Sequence, residues 1–357
     1  MRYSNLSDAL GAWQAMQPLS ARDYEMLNRR FAIDFNYNSN HIEGNTLTYG
    51  QTEILLLLGK IVGEANLDDV IEMKASNVGL QMMKEESRLK EMPLSQTFIR
   101  TLHKTLLRED YTVYRNLPGG ITTSYIVHTG QYKTRPNSVI TRYGDRFEYA
   151  SPEETPALMT DLVNWYNEEE KHGSLSPVEL AALFHYRYIR IHPFEDGNGR
   201  IARLMVNFIL SRHGYPMIVI RSRKKQEYLE ALHKTDLKVG SIPSDGANAK
   251  IENITDLLKY FQNLMKEEIE YNIRFLTERG ENVWWFDGER INFRSETTSK
   301  ILQMLRREAF ATIQDLMNET GINKSAVNKQ LKLLKEKKYI TKNEDTGEWR
   351  VIITPSI

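Results

Sequence analysis

Two strongly apolar helical segments are joined by a short glycine-rich turn, and that joint constrains this chain more than any other feature. Ser176-Pro177-Val178-Glu179 has the pattern of a capping box with Pro at the first helical position, and it opens a helix carrying Leu180, Leu183, Phe184 and Tyr188. Pro193 disfavours the α conformation at His192, so this helix should end near Ile191. Helical character resumes at Asn198 or Gly199, with clear periodicity from Ile201 to Leu210. Ser20 to Lys84, Pro93 to Tyr111 with Ser95 as cap, Lys225 to Leu237 and Ile251 to Leu276 also read as helical. Ser151-Pro152-Glu153-Glu154 reads as one more helix start. Leu117 to Tyr149 differs, because Pro118-Gly119-Gly120, Gly130, Pro136 and Gly144 lie among Thr, Tyr, Ile and Val. That mixture predicts loops and a short hairpin. The expected fold is mainly α, with one β excursion.

Composition removes several classes of function. With 357 residues, the chain should form two or three domains at about 100–200 residues each. It contains no cysteine, which excludes disulfide scaffolds, thiolate metal sites, iron–sulfur clusters and cysteine nucleophiles. Zero cysteine also fits a reducing compartment. The N-terminus lacks a continuous apolar stretch of the signal-peptide kind, and apolar runs such as Ile54 to Leu58 are far too short to span a bilayer. A soluble, cytoplasmic protein with no membrane partner is expected.

The turn itself carries chemistry. It reads His192-Pro193-Phe194-Glu195-Asp196-Gly197-Asn198-Gly199-Arg200-Ile201-Ala202-Arg203. Two glycines can turn consecutive backbone N–H groups toward an anion, and the following helix N-terminus adds partial positive charge. Arg200 and Arg203 share a face at that end. Asp196 supplies a hard oxygen suited to Mg²⁺ bridging phosphates, and His192 is a titratable base at the lip. Together these groups describe a phosphoryl- or nucleotidyl-transfer site. Two similar patterns fail their context. Gly197 to Ala202 fits G-x-G-x-x-A but follows a helix rather than a strand, and Gly59-Lys60 is followed by Ile61 instead of Ser or Thr. His185 and His192, seven apart, have no third ligand in helical register.

The turn resembles the signature of the Fic family, H-P-F-x-[DE]-G-N-G-R-x-x-R, and matches it at every fixed position. The resemblance implies a helical-bundle core with a β-hairpin flap, and transfer of AMP from ATP to a protein Ser, Thr or Tyr. It implies that His192 is the general base and that Asp196 holds Mg²⁺. Gly197, Asn198 and Gly199 would cradle phosphates, with Arg200 contacting them and Arg203 gripping the γ-phosphate. Phe194 would anchor the turn, and Glu195 has no implied role. Gly130-Gln131-Tyr132-Lys133 followed by Val139, Ile140 and Thr141 through Phe147 resembles the family's target-docking flap. Tyr228-Leu229-Glu230-Ala231-Leu232 resembles the helix lining its adenine pocket, with Tyr228 near the base. Other Fic-like enzymes move UMP, phosphate or phosphocholine, and the turn does not choose between nucleotides. Gly199 followed by Arg200 favours the AMP form.

Ser39-Asn40-His41-Ile42-Glu43-Gly44-Asn45 resembles the family's inhibitory motif, [ST]-x-x-x-E-[GN], in its N-terminal intramolecular form. Ser39 and Glu43 are four apart and share a helix face. A bidentate pair between Glu43 and Arg203 is expected, in competition with the γ-phosphate. The resemblance also allows the opposite use, with Glu43 positioning water to remove AMP from a modified target.

The balance of 47 Lys+Arg against 47 Asp+Glu hides a division. Residues 291–350 hold 12 basic and 8 acidic groups, leaving residues 1–290 at net −4. Within that basic segment Ser299 to Leu305, Thr312 to Thr320 and Asn323 to Lys338 read as helices. Tyr339 to Lys342 and Glu348 to Ile353 read as a hairpin wing. Val327, Leu331 and Leu334 form the apolar face of the third helix, opposite Ser325, Lys329 and Lys332. The segment resembles a winged helix-turn-helix, which places DNA among the partners. The expected domains are 1–92 with the inhibitory motif, 93–280 with the catalytic core, and 290–357 as winged helix. The competing expectation is a DNA-binding regulator whose core only senses nucleotide. Homodimer formation is left open.

Overall fold

Side-chain capping by Asn5, Thr48, Ser95, Ser176, Thr312 and Asn323 sets six of the helix starts in this protein. The computed structural model describes residues 2–61, 63–117, 121–140, 146–278, 280, 282–344 and 346–355. In chain order the first helices are α1 Leu6–Ala15, α2 Ala21–Ile42, α3 Tyr49–Leu58, α4 Leu67–Arg88 and α5 Gln96–Leu107. Four strands follow, β1 Tyr111–Leu117, β2 Ile121–Val127, β3 Ser138–Ile140 and β4 Arg146–Glu148. Then come α6 Thr155–His172, α7 Pro177–Ile191, α8 Asn198–Arg212, α9 Lys225–Val239, α10 Pro243–Ala247 and α11 Thr255–Thr277. The chain closes with β5 Val283–Phe286, β6 Glu289–Asn292, α12 Glu296–Arg307, α13 Ile313–Thr320, α14 Lys324–Glu336, β7 Ile340–Lys342, β8 Trp349–Val351 and β9 Thr354–Pro355. The fold is mainly α, as expected. Contacts divide it into two compact units, one of Met1–Tyr37, Thr46–Asn66 and Glu268–Ile357, the other of Asn38–Asn45 and Leu67–Glu267.

In the second unit, the Ser176 hydroxyl accepts from the Glu179 N–H and the Glu179 carboxylate accepts from the Ser176 N–H, so the expected capping box forms. Ser95 caps α5 through its hydroxyl alone, which accepts from the Phe98 N–H. The helix α8 is buried on nearly every side, with Ile201, Ala202, Met205, Phe208 and Ile209 at its centre. A helix of that kind belongs inside a bundle, and α8 packs against α7, α4 and α5. Each such side chain contributes roughly 1.5–3 kcal/mol by burial, which fixes the N-terminus of α8 in place.

Two boundaries differ from expectation. The helix from Pro93 was expected to reach Tyr111, but α5 ends at Leu107, where Arg108 takes a positive φ of 68°. Tyr111-Thr112-Val113-Tyr114, aromatic and β-branched, pairs instead as β1 with β2, Tyr111 opposite Val127. Ser151 and Glu154 do exchange the hydrogen bonds of a capping box, yet residues 152–154 form a turn and α6 starts at Thr155. The expected flap hairpin is present, with Val139 opposite Phe147 and Ile140 opposite Arg146. Thr141 and Gly144, and the turn Pro118 to Gly120, lie outside the described residues.

In the first unit, α12, α13, α14 and the β7–β8 hairpin form the winged helix. Thr312 and Asn323 cap their helices, and Gly321 ends α13 in a left-handed conformation. Val327, Leu331 and Leu334 bury against Ile301, Leu305, Leu316 and Trp349, while Ser325, Lys329 and Lys332 are exposed. A three-stranded sheet in the order β6-β5-β9 completes the unit. Its β5–β6 turn is Asp287-Gly288, both at positive φ. Among the described residues, no helix is long and apolar enough to cross a membrane.

Candidate active site

His192 sits where α7 stops. It is the C-cap residue, left-handed at φ 51° and ψ 60°, with its N–H bonded to the Tyr188 carbonyl. Its ring stacks on Tyr149, centroids 3.9 Å apart and planes within 9°. Burial first, and then the Lys133 charge, push the imidazole pKa down to about 3. At neutral pH the ring is therefore unprotonated, the form a general base requires.

Lys133 holds this helix end. Its Nζ donates to the carbonyls of Ile191 (3.0 Å) and His192 (2.9 Å) and to Asn137 Oδ1 (2.7 Å). The Asn137 amide donates to the carbonyls of His192 and Phe194. A cation at a helix C-terminus also meets the negative end of the helix dipole. Burial lowers the Lys133 pKa to about 7. Replacing Lys133 with Met is expected to lower stability by roughly 1–3 kcal/mol, because the buried Ile191 carbonyl loses its donor. A thermal midpoint unchanged from wild type would contradict that assignment.

The rest of the turn is braced by side chains. Phe194 is fully buried and stacks on His103, centroids 3.8 Å apart. The His103 Nδ1 accepts from the Gly130 N–H, so its Nε2 donates to the Asp196 carbonyl. Asn198 spends its side chain on both backbone groups of Phe194, which leaves its backbone N–H as the group that can meet an anion. Gly197 takes φ 76°, a left-handed value that favours glycine, as the N-cap of α8. Asp196 accepts from the Gly197 N–H and from the Tyr111 hydroxyl, each at 2.6 Å. Burial alone would raise its pKa, but Arg200, Tyr111 and Gly197 outweigh it and hold the carboxylate below its usual range.

Both arginines are engaged by acids. Arg200 pairs with Glu72 of α4 and approaches Asp196 at 3.5 Å. Glu72 also accepts from the Asn45 amide at 2.7 Å. Arg203 donates from Nε to the Ser39 hydroxyl at 3.0 Å, and from Nη2 to the Ser39 carbonyl at 2.8 Å and Glu43 Oε1 at 2.7 Å. The expected bidentate pair is thus replaced by one carboxylate oxygen plus two Ser39 acceptors, because Ser39 takes the Nε side of the guanidinium. A Cβ at Gly199 would stand 2.6 Å from Glu43 Oε1, so a side chain there would displace the end of Glu43. Residues 38–45 are tied further by the Ser222 N–H to Asn38 and by Lys225 to the Ile42 carbonyl.

Tyr228 is buried, with its hydroxyl on His185 Nε2 at 2.9 Å. The Arg203 and Glu43 charges both reach it. Val139 and Ile140 belong to the flap hairpin, whose Phe147 packs on Tyr149 and so leads to His192. Sequence reading missed Lys133 as a brace, and missed His103, Tyr111, Asn137, Tyr149 and Glu72 altogether. Each lies 40 or more residues from the turn it serves, and an isolated polar residue has no periodic signal. His185 and His192 make no shared metal site, and among the described residues no group of three or more His, Cys, Asp or Glu is placed to hold a metal. A single half-exposed carboxylate beside an anion nest does fit Mg²⁺ held chiefly through substrate phosphates and water.

The histidines predict an acid response. His103 and His185 are fully buried with pKa values near 4 and near 3, lowered by burial in both cases and by Arg203 at His185. Above the ordinary value of about 6.5 both folded and unfolded chains are neutral there, so stability is fully present. As pH falls below it the unfolded chain takes up protons first. Stability is then lost toward the folded values, at up to roughly 2–3 kcal/mol per pH unit for the pair. Thermal midpoints at pH 7 and pH 5 should therefore diverge, and His185→Gln should reduce the gap.

Comparison with known proteins identifies two families along the chain. Residues 93–210 match the Fic/DOC family, and residues 294–341 match a winged helix-turn-helix DNA-binding family. Protein adenylyltransferase fic-1 of Caenorhabditis elegans is 31% identical over 202 residues, 56% of this chain and 36% of that protein. The chain thus spans about a third of the length of the curated relatives it matches. A solved Fic domain containing signaling protein from Bacteroides thetaiotaomicron is 53% identical with a TM-score of 0.70, covering 76% of this chain and 96% of that one. A Fic family protein from Desulfovibrio desulfuricans shares the fold at 18% identity and a TM-score of 0.54, covering 97% of this chain and 93% of that one.

Proposed function

The chain belongs to the Fic/DOC family, and on that premise we propose that it transfers AMP from ATP to a hydroxyl side chain of a target protein and of itself. One observation carries the reading. An unprotonated His192 stands at one end of a braced turn whose other end offers Asp196, the N-terminus of α8, Arg200 and Arg203. Curated relatives that are named protein adenylyltransferases support it.

His192 takes the proton of the target Ser, Thr or Tyr as its oxygen attacks the α-phosphorus. The bond to the β-phosphate oxygen breaks and pyrophosphate leaves. Backbone N–H groups of Asn198, Gly199 and Arg200 at the start of α8 have no intrahelical partners and face the phosphates. Arg200 contacts them and Arg203 holds the γ-phosphate. Asp196 would hold Mg²⁺, which screens phosphate charge when bound. Tyr228 borders the adenine site, and the hairpin carrying Val139, Ile140 and Thr141 aligns a target segment by strand addition.

Glu43 and Ser39 occupy Arg203 and so oppose the γ-phosphate, which makes residues 1–92 inhibitory toward the core of 93–280. Under other conditions Glu43 would serve removal of AMP from a modified target. The cysteine-free composition favours the cytoplasm. Intact mass after incubation with ATP and Mg²⁺ tests the proposal, with one or more added AMP groups as the expected product. Added phosphate alone would reject it.

A second reading, favoured by the winged helix, is a DNA-binding regulator whose core senses nucleotide. Lys324, Lys329 and Lys332 stand exposed on α14, in the helix that such folds place in the major groove. Under this reading DNA retention weakens steeply with salt and Lys329→Glu reduces it, while no AMP is transferred.

A further inference from the structure

Within the first unit, a cavity of about 220 Å³ lies among side chains of α2, α3, α11, α12, β5 and β9. None of them belongs to the nucleotide site. Its walls are aromatic, with Tyr271, Phe275 and Trp285 forming one side. Three guanidinium groups border it, Arg29, Arg30 and Arg306, against the single carboxylate of Glu53.

Two of the lining residues have buried donors with nothing to donate to. Arg30 is 7% exposed, and its guanidinium lies 3.7 Å over the Tyr271 ring and 4.7 Å over Phe275. One nitrogen, Nη2, donates to Asn272 at 2.6 Å, and Nε has only a 3.7 Å approach to Asp34. Among the described residues Nη1 has no hydrogen-bond partner, and neither has the indole N–H of Trp285, which is 2% exposed. Arg306 reaches Glu53 only at 3.7 Å, keeping one firm acceptor in the Ile353 carbonyl at 3.1 Å. Unmet buried donors are costly, and more so on a charged group. An acceptor supplied from outside removes that penalty.

We propose that this cavity binds a small organic anion, a single aromatic ring carrying one carboxylate or phosphate. The anionic group is taken by Arg30, Arg306 and the Trp285 N–H, and the ring lies against Tyr271, Phe275 and Trp285. The cavity is small, which suits an occupant of one ring. Charge sets the sign, with Arg29, Arg30 and Arg306 at the wall against Glu53 and the Asp34 carboxylate behind Arg30. Arg306 belongs to α12, the first helix of the winged helix, so the occupant touches that module directly.

Isothermal titration of the full chain with benzoate, phenyl phosphate and neutral benzamide tests this. At least one of the two anions should bind once per chain, roughly tenfold or more tighter than benzamide, and the arm that binds identifies the anionic group. Arg306→Gln and Arg30→Met should each weaken binding roughly tenfold. Leu57→Trp, which fills the cavity from α3, should abolish it while keeping a wild-type thermal midpoint. No binding of either anion at millimolar concentration, equal binding of benzamide, or unchanged binding in folded Leu57→Trp would overturn the proposal.

Discussion

Glu43→Gly is expected to raise AMP transfer by roughly 10- to 100-fold. The estimate follows from the contact it removes. A hydrogen bond to a charged group is worth about 1.5–3 kcal/mol, and 1.4 kcal/mol is tenfold in rate or affinity. Without the carboxylate, Arg203 keeps its two Ser39 acceptors but gains a free direction for a γ-phosphate. The space 2.6 Å from a Gly199 Cβ position also opens. Stability should change little, because the Glu43 side chain is 38% exposed while its partner remains hydrogen-bonded. Ser39→Ala should activate less, since the Ser39 carbonyl and Glu43 still hold Nη2. Equal incorporation by wild type and Glu43→Gly would sink the inhibitory assignment.

His192→Ala, placed in the Glu43→Gly background so that the signal is large, is expected to lose roughly 10²–10⁴-fold in transfer rate. The loss should fall on kcat, with ATP affinity retained, because the ring is no part of the anion nest. The pH profile adds an independent readout. An ordinary imidazole would impose an acid limb near pH 6.5 on kcat/KM. Burial and Lys133 hold His192 at about 3. From pH 8 to pH 6 the His192 ring itself should therefore impose no limb on the rate, and the fall at lower pH should follow unfolding as His103 and His185 protonate. A limb centred near pH 6.5 in a fully folded protein would contradict this assignment.

How far the sequence could be read depends on what kind of signal each part carries. The turn from His192 to Arg203 was legible because its residues are contiguous and chemically unlike one another. Its helices were legible through Ser176-Pro177-Val178-Glu179 and through the all-apolar face of α8. The winged helix was legible through Thr312, Asn323 and Gly321, which punctuate it. Tyr111 misled because helix and strand patterns are close over four residues, and only pairing with β2 decides between them. The β5–β6 hairpin carried its own signal, Asp287-Gly288 directly after Val283-Trp284-Trp285-Phe286, at an expected domain boundary. Lys133, His103, Tyr149 and Glu72 could not be found by any local rule. Their roles arise from distant segments meeting, with Lys133 on the end of α7 and Glu72 on Arg200. The Glu43–Arg203 contact was legible as chemistry but not as geometry, since nothing in the motif says that Ser39 claims Nε.

Supplying Glu43→Gly separately with ATP labelled at the α-phosphate and at the γ-phosphate separates AMP transfer from phosphate transfer. AMP transfer through His192 predicts label on protein from the α-position alone, at a rate well above wild type and absent in Glu43→Gly/His192→Ala. Label arriving from the γ-position, or α-label that persists without His192, would contradict it.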